Sequence, residues 1–309
     1  MKISVVTTLY HSENYVYEFY QRCRDAIQEV SDSYEFVFVN DGSPDQSLNK
    51  VLAIQAQDNN VKVVDLSRNF GHHAAIMAGI KESCGERVFL LDVDLEEAPE
   101  NLVAFWHKLN SQSDHDVVYG VQKQRQGSKI DRWLATVFSH FFRWISHVDI
   151  DNNVTICRLM TRRFVDSLLL FKETELVFVG LCKLTGYQQI AVEVQKNNKG
   201  STTYTLAKKL ALAVNYITSY SSRPLELVFY FGLLISLTSL MVAMVLVVLW
   251  SFFNHQVQGW TSIVLSIWFV GGCCMFSMGI MGTYLSKIFS EVKRRPSVIV
   301  RRLYSKNKE

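Results

Sequence analysis

The stretch RVFLLDVDLEEAPE (87–100) sets an apolar run against three acidic side chains, Asp92, Asp94 and Glu96, at i, i+2 and i+4. Residues spaced by two share one face of a strand, so the carboxylates are expected to project together from a strand end. Mg2+ or Mn2+ takes a few carboxylate oxygens and leaves its other positions to water and substrate phosphates, so the spacing outlines a hard-cation site. The plainer reading of the same residues is a solvated acidic turn leading into a helix near Pro99, with Glu97 as a solvated cap residue. What surrounds the stretch has to decide.

Working outward, strand and helix patterns alternate. Apolar runs at 2–8, 34–39, 61–66, 87–91 and 116–119 read as buried strands. Helical periodicity covers 13–30, 72–83 and 99–109, and Asp41-Gly42-Ser43-Pro44 reads as the opening of another helix. Such alternation implies an α/β domain with a mostly parallel sheet covered on both faces. Ligands of these sheets sit outside the carboxyl ends of the strands. Residues 8–10, 40–41, 67–69 and 92–96 all fall there, so four successive strand exits are expected to meet in one crevice. No G-x-G-x-x-G follows the first strand and no G-x-x-x-x-G-K-[ST] occurs. Phosphate then has to be held by a cation and basic side chains, and a nucleotide diphosphate is the natural ligand.

The chain has 309 residues, enough for two domains. Residues 227–253 and 260–285 carry no charge over 27 and 26 positions; each exceeds the roughly 20 residues that span a bilayer core. A short uncharged-by-lysine-or-arginine loop at 254–259 forces an antiparallel hairpin. Lys208, Lys209 and Arg223 precede it, and Lys287, Lys293, Arg294, Arg295, Arg301 and Arg302 follow it, so the positive-inside rule places both termini in the cytoplasm. No signal peptide is expected ahead of the first strand. Segments 130–148 and 206–220 are amphipathic with basic flanks and suit either packing on the sheet or a lipid interface. The expected organisation is therefore an α/β domain over 1–205, a juxtamembrane helix over 206–225, two transmembrane helices within 226–285, and a basic tail over 286–309. Six cysteines without C-x-x-C spacing point to a reducing compartment with neither disulfide nor zinc. A net charge of +3, with its basic residues near the apolar segments, fits anionic lipid and gives no nucleic-acid signature.

Several motifs together, VVTTLYHSENY (5–15), FVNDGSPDQS (38–47), LSRNFGHHAAIMAGI (66–80), LDVDLEEAPE (91–100), CRLMTRR (157–163), KGSTTY (199–204) and ITSYSSRPL (217–225), resemble the family 2 glycosyltransferases that load a sugar onto a polyisoprenyl phosphate. That group contains dolichol-phosphate mannosyltransferase and bacterial undecaprenyl-phosphate glycosyltransferases. The resemblance implies a GT-A fold, a nucleotide-diphosphate sugar donor, an undecaprenyl phosphate acceptor, Mg2+ or Mn2+, and inversion at the anomeric centre in cell-surface glycan (O-antigen or lipopolysaccharide) assembly. Carried over by position, it implies a nucleotide-sugar pocket of Thr8, Tyr10, Glu13, Asp41, Arg68, Asp92 and Lys199, with Asp41 accepting from the base. Asp92, Asp94 and Glu96 become the metal site, with Asp94 placed by motif position as the direct ligand. Arg132 and Thr136, with Arg125 and Lys129, hold the acceptor phosphate, and Asp94 and Arg132 carry the catalysis. A homo-oligomer is expected, and the glycine runs at 271–272 and 279–282 suit either the hairpin or that oligomer.

Departures from the family pattern bear on chemistry. Asn40 replaces the first Asp of D-D-G-S, Glu96 stands for the commoner Gln, Gln122 for Arg, Ile156 for the Asp of G-D-F-R-L-M, and Asn197 for a loop arginine, leaving Lys196 or Lys199 to cover the diphosphate. The missing Asp is tolerable for a phosphate acceptor. A sugar hydroxyl needs a base to take its proton, whereas a phosphate monoester with a second pKa near 6 is already mostly a dianion at neutral pH. The adjacent His72 and His73 cannot share one helical face, and metal ligation is not expected of them. Arg162 and Arg163 are read as exposed or in contact with lipid phosphate. A processive polysaccharide synthase would carry Q-x-x-R-W and more spans, and a catalytically inactive nucleotide-sugar-binding scaffold is the non-enzymatic reading.

Overall fold

A computed structural model describes residues 1–111, 114–122, 154–173, 178–195, 218, 221–253 and 259–306. They fall into two compact units, a sheet domain that includes the stretch from Arg295 onward and a pair of long helices. In the sheet domain, β1 (Ile3–Leu9), α1 (Val16–Gln28), β2 (Tyr34–Asn40), α2 (Ser47–Gln57), β3 (Val61–Leu66), α3 (His72–Glu82), β4 (Arg87–Leu90), α4 (Asn101–Asn110) and β5 (Val117–Gln122) alternate as the sequence predicts. They are followed by β6 (Val154–Thr161), α5 (Arg162–Leu168), α6 (Phe178–Leu184) and β7 (Gln189–Val194), and the sheet gains a last strand, β8 (Val300–Tyr304).

The strand order is β7-β5-β6-β4-β1-β2-β3-β8. The central run β4-β1-β2-β3 is parallel, while β6 and β8 run antiparallel to their neighbours. Central strands buried on both faces read as unbroken apolar runs, and β1 has six of its seven residues buried. Successive side chains go to opposite faces: Phe36 and Phe38 stack at 5.8 Å in a cluster with Phe19, Phe89 and Phe105, while Val37 and Val39 pack with Ile76, Met160 and Phe164 on the other side. Gly79 is a packing necessity, because a Cβ there would lie 2.6 Å from Val6 Cγ1.

Three local expectations change. The Asp-Gly-Ser-Pro segment is a loop, and α2 starts at Ser47. Asp45 holds that loop, accepting from Ser43 Oγ at 2.6 Å, Ser47 N at 3.0 Å and Glu13 N at 3.0 Å. Burial raises its pKa, but these hydrogen bonds outweigh it and keep the carboxyl well below its ordinary value. Within the basic tail, β8 pairs with β3, Ser67 N–H donates to Ile299 O at 2.9 Å, and Arg301 Nη2 donates to Ser67 O at 2.6 Å. The tail thus covers an edge that would otherwise be open. Arg162 and Arg163 are held by protein: Arg162 donates to Gly85 O and Ser83 Oγ, and Arg163 grips the buried Asp116 with two nitrogens.

The second unit contains α7 (Arg223–Phe253) and α8 (Trp260–Val292). Windows in both are long and apolar enough to cross a membrane, with mean hydropathy 2.0 over Arg223–Val242 and 1.4 over Ser266–Val292. Phe229, Leu240, Trp268 and Phe276 lie exposed along them, the arrangement a lipid solvent favours. A Cβ at Gly271, Gly272, Gly279 or Gly282 would meet open space.

Candidate active site

The four parallel strands end side by side, and their exits are tied together. Asp41 N–H donates to Leu9 O at 3.0 Å, joining the β1 and β2 exits. The Asp41 carboxylate, in a residue only 2% exposed, accepts from Phe70 N at 2.7 Å and Gly71 N at 3.0 Å, joining β2 to the loop after β3. Gly42 has φ 62, and a Cβ there would lie 2.5 Å from backbone atoms of Arg68 and Asn69; only glycine fits this turn. At the start of α3, His72 lies between Thr8 Oγ1, 3.1 Å from Nδ1, and Asp92 Oδ1, 3.4 Å from Nε2. The four strand exits therefore meet at one end of the sheet.

Thr8, Tyr10, Arg68 and Asp92 line these exits, with Asp41 beneath them. Tyr10 is half exposed and meets His11 edge-on at 4.6 Å, leaving an aromatic face for stacking. Arg68 lies 4.2 Å over the Phe70 ring and donates to Asn69 O at 2.9 Å. The Glu13 carboxylate turns instead to the start of α2, accepting from Gln46 N at 3.0 Å. Asp41 likewise presents both oxygens to the 70–71 backbone, so its geometry is that of a loop clamp.

The acidic stretch is a turn. β4 ends at Leu90, and Leu95 adopts the left-handed conformation with φ 59, a strain that proteins keep mainly at functional sites. The alternation of exposure survives: Asp92, Asp94 and Glu96 are partly exposed, while Val93, Leu95 and Glu97 are buried. Asp94 Oδ1 accepts from Glu96 N at 3.0 Å and pins the turn. Among the described residues no three His, Cys, Asp or Glu side chains form a metal-holding group, so the set Asp92, Asp94 and Glu96 is not assembled as a cage. One or two carboxylates shared with a diphosphate are enough for Mg2+ or Mn2+, and Asp92 and Asp94 on this turn fit that smaller requirement.

Four features escaped sequence reasoning. Glu97 is 4% exposed and accepts from Cys157 N at 3.2 Å, tying the turn to β6. Arg158 is 1% exposed, paired in register with Leu90. It donates to Ile156 O at 3.1 Å and Thr155 O at 2.9 Å and lies 4.8 Å from the Phe178 ring centroid, with no acidic partner among the described residues. Such a buried cation is costly, and its occurrence inside CRLMTRR was the only available signal. His73 is driven down to about 4, first by burial and then by the charges of His72 and Arg158; burial also lowers His72. Finally, Asn40 Nδ2 donates to the buried Asp65 Oδ1 at 2.8 Å, and Asn40 Oδ1 accepts from Ser43 N at 3.2 Å. Arg125, Lys129, Arg132, Thr136, Lys196, Asn197 and Lys199, and the segments 130–148 and 206–217, lie outside the described residues.

Open α/β sheets bind their ligands outside the carboxyl ends of the parallel strands, where Tyr10, Asp41 and the acidic turn lie. The model of Glycosyl transferase family 2 matches residues 4–170. A chain of Mycobacterium tuberculosis (strain CDC 1551 / Oshkosh) named among glycosyltransferases is 41% identical over 304 residues, covering 98% of this chain and 89% of that one. The uncharacterized glycosyltransferase YkcC of Bacillus subtilis (strain 168) is 32% identical over 98% and 94%. The prophage bactoprenol glucosyl transferase homolog of Escherichia coli (strain K12) is 30% identical over 98% and 99%. The chain belongs to glycosyltransferase family 2, with a GT-A fold.

Proposed function

We propose that this glycosyltransferase moves a sugar from a nucleotide-diphosphate sugar to the phosphate of a polyisoprenyl phosphate, most simply undecaprenyl phosphate, at the cytoplasmic face of the inner membrane. The observation that carries this reading is the span of the similarity. Relatives named bactoprenol glucosyl transferase match over 98–99% of the chain, beyond the family model's last residue and through both apolar helices. A lipid phosphate presented at the bilayer surface suits a catalyst anchored there.

In this reading a phosphate oxygen of the acceptor attacks the anomeric carbon, the bond to the nucleotide diphosphate breaks, and configuration inverts. The nucleophile needs no base because it is already anionic, which accommodates Ile156. The task is to bring two anions together and stabilise the departing one. Asp92 and Asp94 would hold Mg2+ or Mn2+, whose charge neutralises the leaving diphosphate. Tyr10 stacks the base, Asp41 keeps the 70–71 loop in place beneath the donor, and Lys196 or Lys199 covers the diphosphate. Arg132 and Thr136, with Arg125 and Lys129, take the acceptor phosphate.

The test is turnover by protein purified in detergent, with undecaprenyl phosphate, Mg2+ or Mn2+, and a panel of UDP- and GDP-sugars. A lipid-linked monosaccharide is expected from one donor, with its formation lost in Asp94→Ala. Full activity in Asp94→Ala removes the proposed mechanism, a polymeric product favours a processive synthase, and donor binding without turnover on any polyprenyl phosphate favours a scaffold.

A further inference from the structure

We infer that Arg301 is a positioning residue of the donor site: from the strand that follows the second apolar helix, it fastens the loop leaving β3 and so sets how tightly the nucleotide is held. This rests on the donor reading given above. In the antiparallel pair of β3 and β8, Asp65 lies opposite Arg302 and Leu66 opposite Val300, so Arg301 is the extra residue of a β-bulge. Bulges re-aim a side chain, and they concentrate at sheet edges and beside active sites. This one falls where β3 ends, at Leu66. There Arg301 Nη2 donates to Ser67 O at 2.6 Å, and Ser67 N–H donates to Ile299 O at 2.9 Å. Both backbone polar groups of the first residue beyond β3 are thus taken by the tail. Arg301 Nη1 also lies 3.8 Å from the buried Asp65 Oδ2, an ion-pair proximity that adds attraction without a hydrogen bond.

Residues 67–71 are therefore held from two directions. On the β2 side Asp41 accepts from Phe70 N and Gly71 N, and Gly42 abuts the backbone of Arg68 and Asn69. On the β8 side the tail holds Ser67. Arg68, a residue of the donor pocket in this reading, lies between the two fastenings. A loop ordered before binding spares the ligand the cost of ordering it, so loosening one fastening should show as lost affinity. The tail has anchors of its own: Val298 and Leu303 pack against one core cluster and Tyr304 against the other, and Lys306 Nζ donates to Ala56 O at 3.1 Å. Removing the Arg301 guanidinium should leave β8 docked. Arg302 supplies a control of equal charge, since it lies 4.8 Å from the Tyr304 ring centroid and makes no hydrogen bond to the loop among the described residues.

The test uses full-length protein in detergent, titrated calorimetrically with UDP and with GDP in the presence of Mn2+, beside amide hydrogen exchange of the unliganded protein. Arg301→Met keeps the aliphatic stem and removes the donors. It should weaken binding of the nucleotide that wild type takes by about 3–10-fold, the effect of losing one hydrogen bond of ordinary net strength. Exchange should accelerate over 66–71 while β1 and β2 keep their protection. Arg301→Lys, which retains a charged donor, should recover part of both effects, and Arg302→Met should produce neither. Unchanged affinity and unchanged protection over 66–71 in Arg301→Met, or equal effects of Arg301→Met and Arg302→Met, overturns the inference. Should Arg301→Met fail to fold, Arg301→Gln takes its place with the same expectations. A wild-type protein that binds neither nucleotide overturns the donor reading, and the exchange over 66–71 then still decides whether Arg301 holds the loop.

Discussion

Replacing Asp41 by Asn separates a loop clamp from a base-reading residue. In the native protein one carboxylate oxygen takes Phe70 N–H at 2.7 Å and the other takes Gly71 N–H at 3.0 Å. An asparagine has a single acceptor oxygen. Whichever way the amide turns, its NH2 faces one of those two N–H groups, donor against donor. The remaining bond also loses its charge assistance. Hydrogen bonds to charged groups contribute about 1.5–3 kcal/mol, and a buried donor left unpaired costs about 1–3 kcal/mol, so the substitution should cost about 2–4 kcal/mol. At about 2–4 °C per kcal/mol for a domain of this size, that lowers Tm by roughly 5–15 °C. Hydrogen exchange should accelerate in peptides covering 66–80 before it does elsewhere. A variant that melts within a degree of wild type, with unchanged protection over 66–80, would refute the clamp and return Asp41 to the base.

Gly42→Ala should destabilise by several kcal/mol, since it combines a left-handed backbone with a Cβ 2.5 Å from the Arg68–Asn69 backbone; soluble expression and Tm check it. Asn40→Asp sets a carboxylate 2.8 Å from Asp65 Oδ1 and should cost about 1–3 kcal/mol, and adding Asp65→Asn should restore most of the loss. His73, held near 4 in the fold, is ordinarily protonated below about 6.5. The unfolded chain therefore binds the extra proton first, so stability is full above pH 6.5 and falls as pH drops toward 4. His73→Leu should flatten that part of the acid profile in denaturant titrations. Glu35 is pushed up by burial but pulled further down by Ser4, the Cys84 amide and Lys2. Its contribution is present above the ordinary carboxylate range and is lost as pH falls below it, and Glu35→Gln should remove that dependence.

The central strands were legible because burial on both faces makes them apolar throughout, and the meeting of their exits followed from where those runs stop. The flanking elements were not. β6 reads VTICRLMT, and its buried Arg158 breaks the apolar pattern that marks a core strand. β8 reads VRRLY, whose arginines gave it the look of a solvated tail, although Arg301 is spent on Ser67 O. The D-x-D spacing predicts strand geometry, and nothing in the letters reveals that Leu95, a residue that seldom turns left-handed, converts it into a turn. Asp45 and Gly42 hid the start of α2 for a similar reason, since cap-like residues also build loops. Side-chain direction was the main limit: Glu13, Asp41 and Glu97 are where the sequence places them, yet each points at backbone of another element, a tertiary fact without a local signature.

The central claim is that the acceptor atom is a phosphate oxygen, and a matched pair of lipids addresses it directly. Undecaprenyl phosphate and undecaprenol, offered at equal concentration with the donor panel and Mg2+ or Mn2+, differ only in that group. Sugar transfer to undecaprenyl phosphate alone, with inverted anomeric configuration by NMR, is the predicted result. Transfer to undecaprenol at a comparable rate, or retention of configuration, would contradict it.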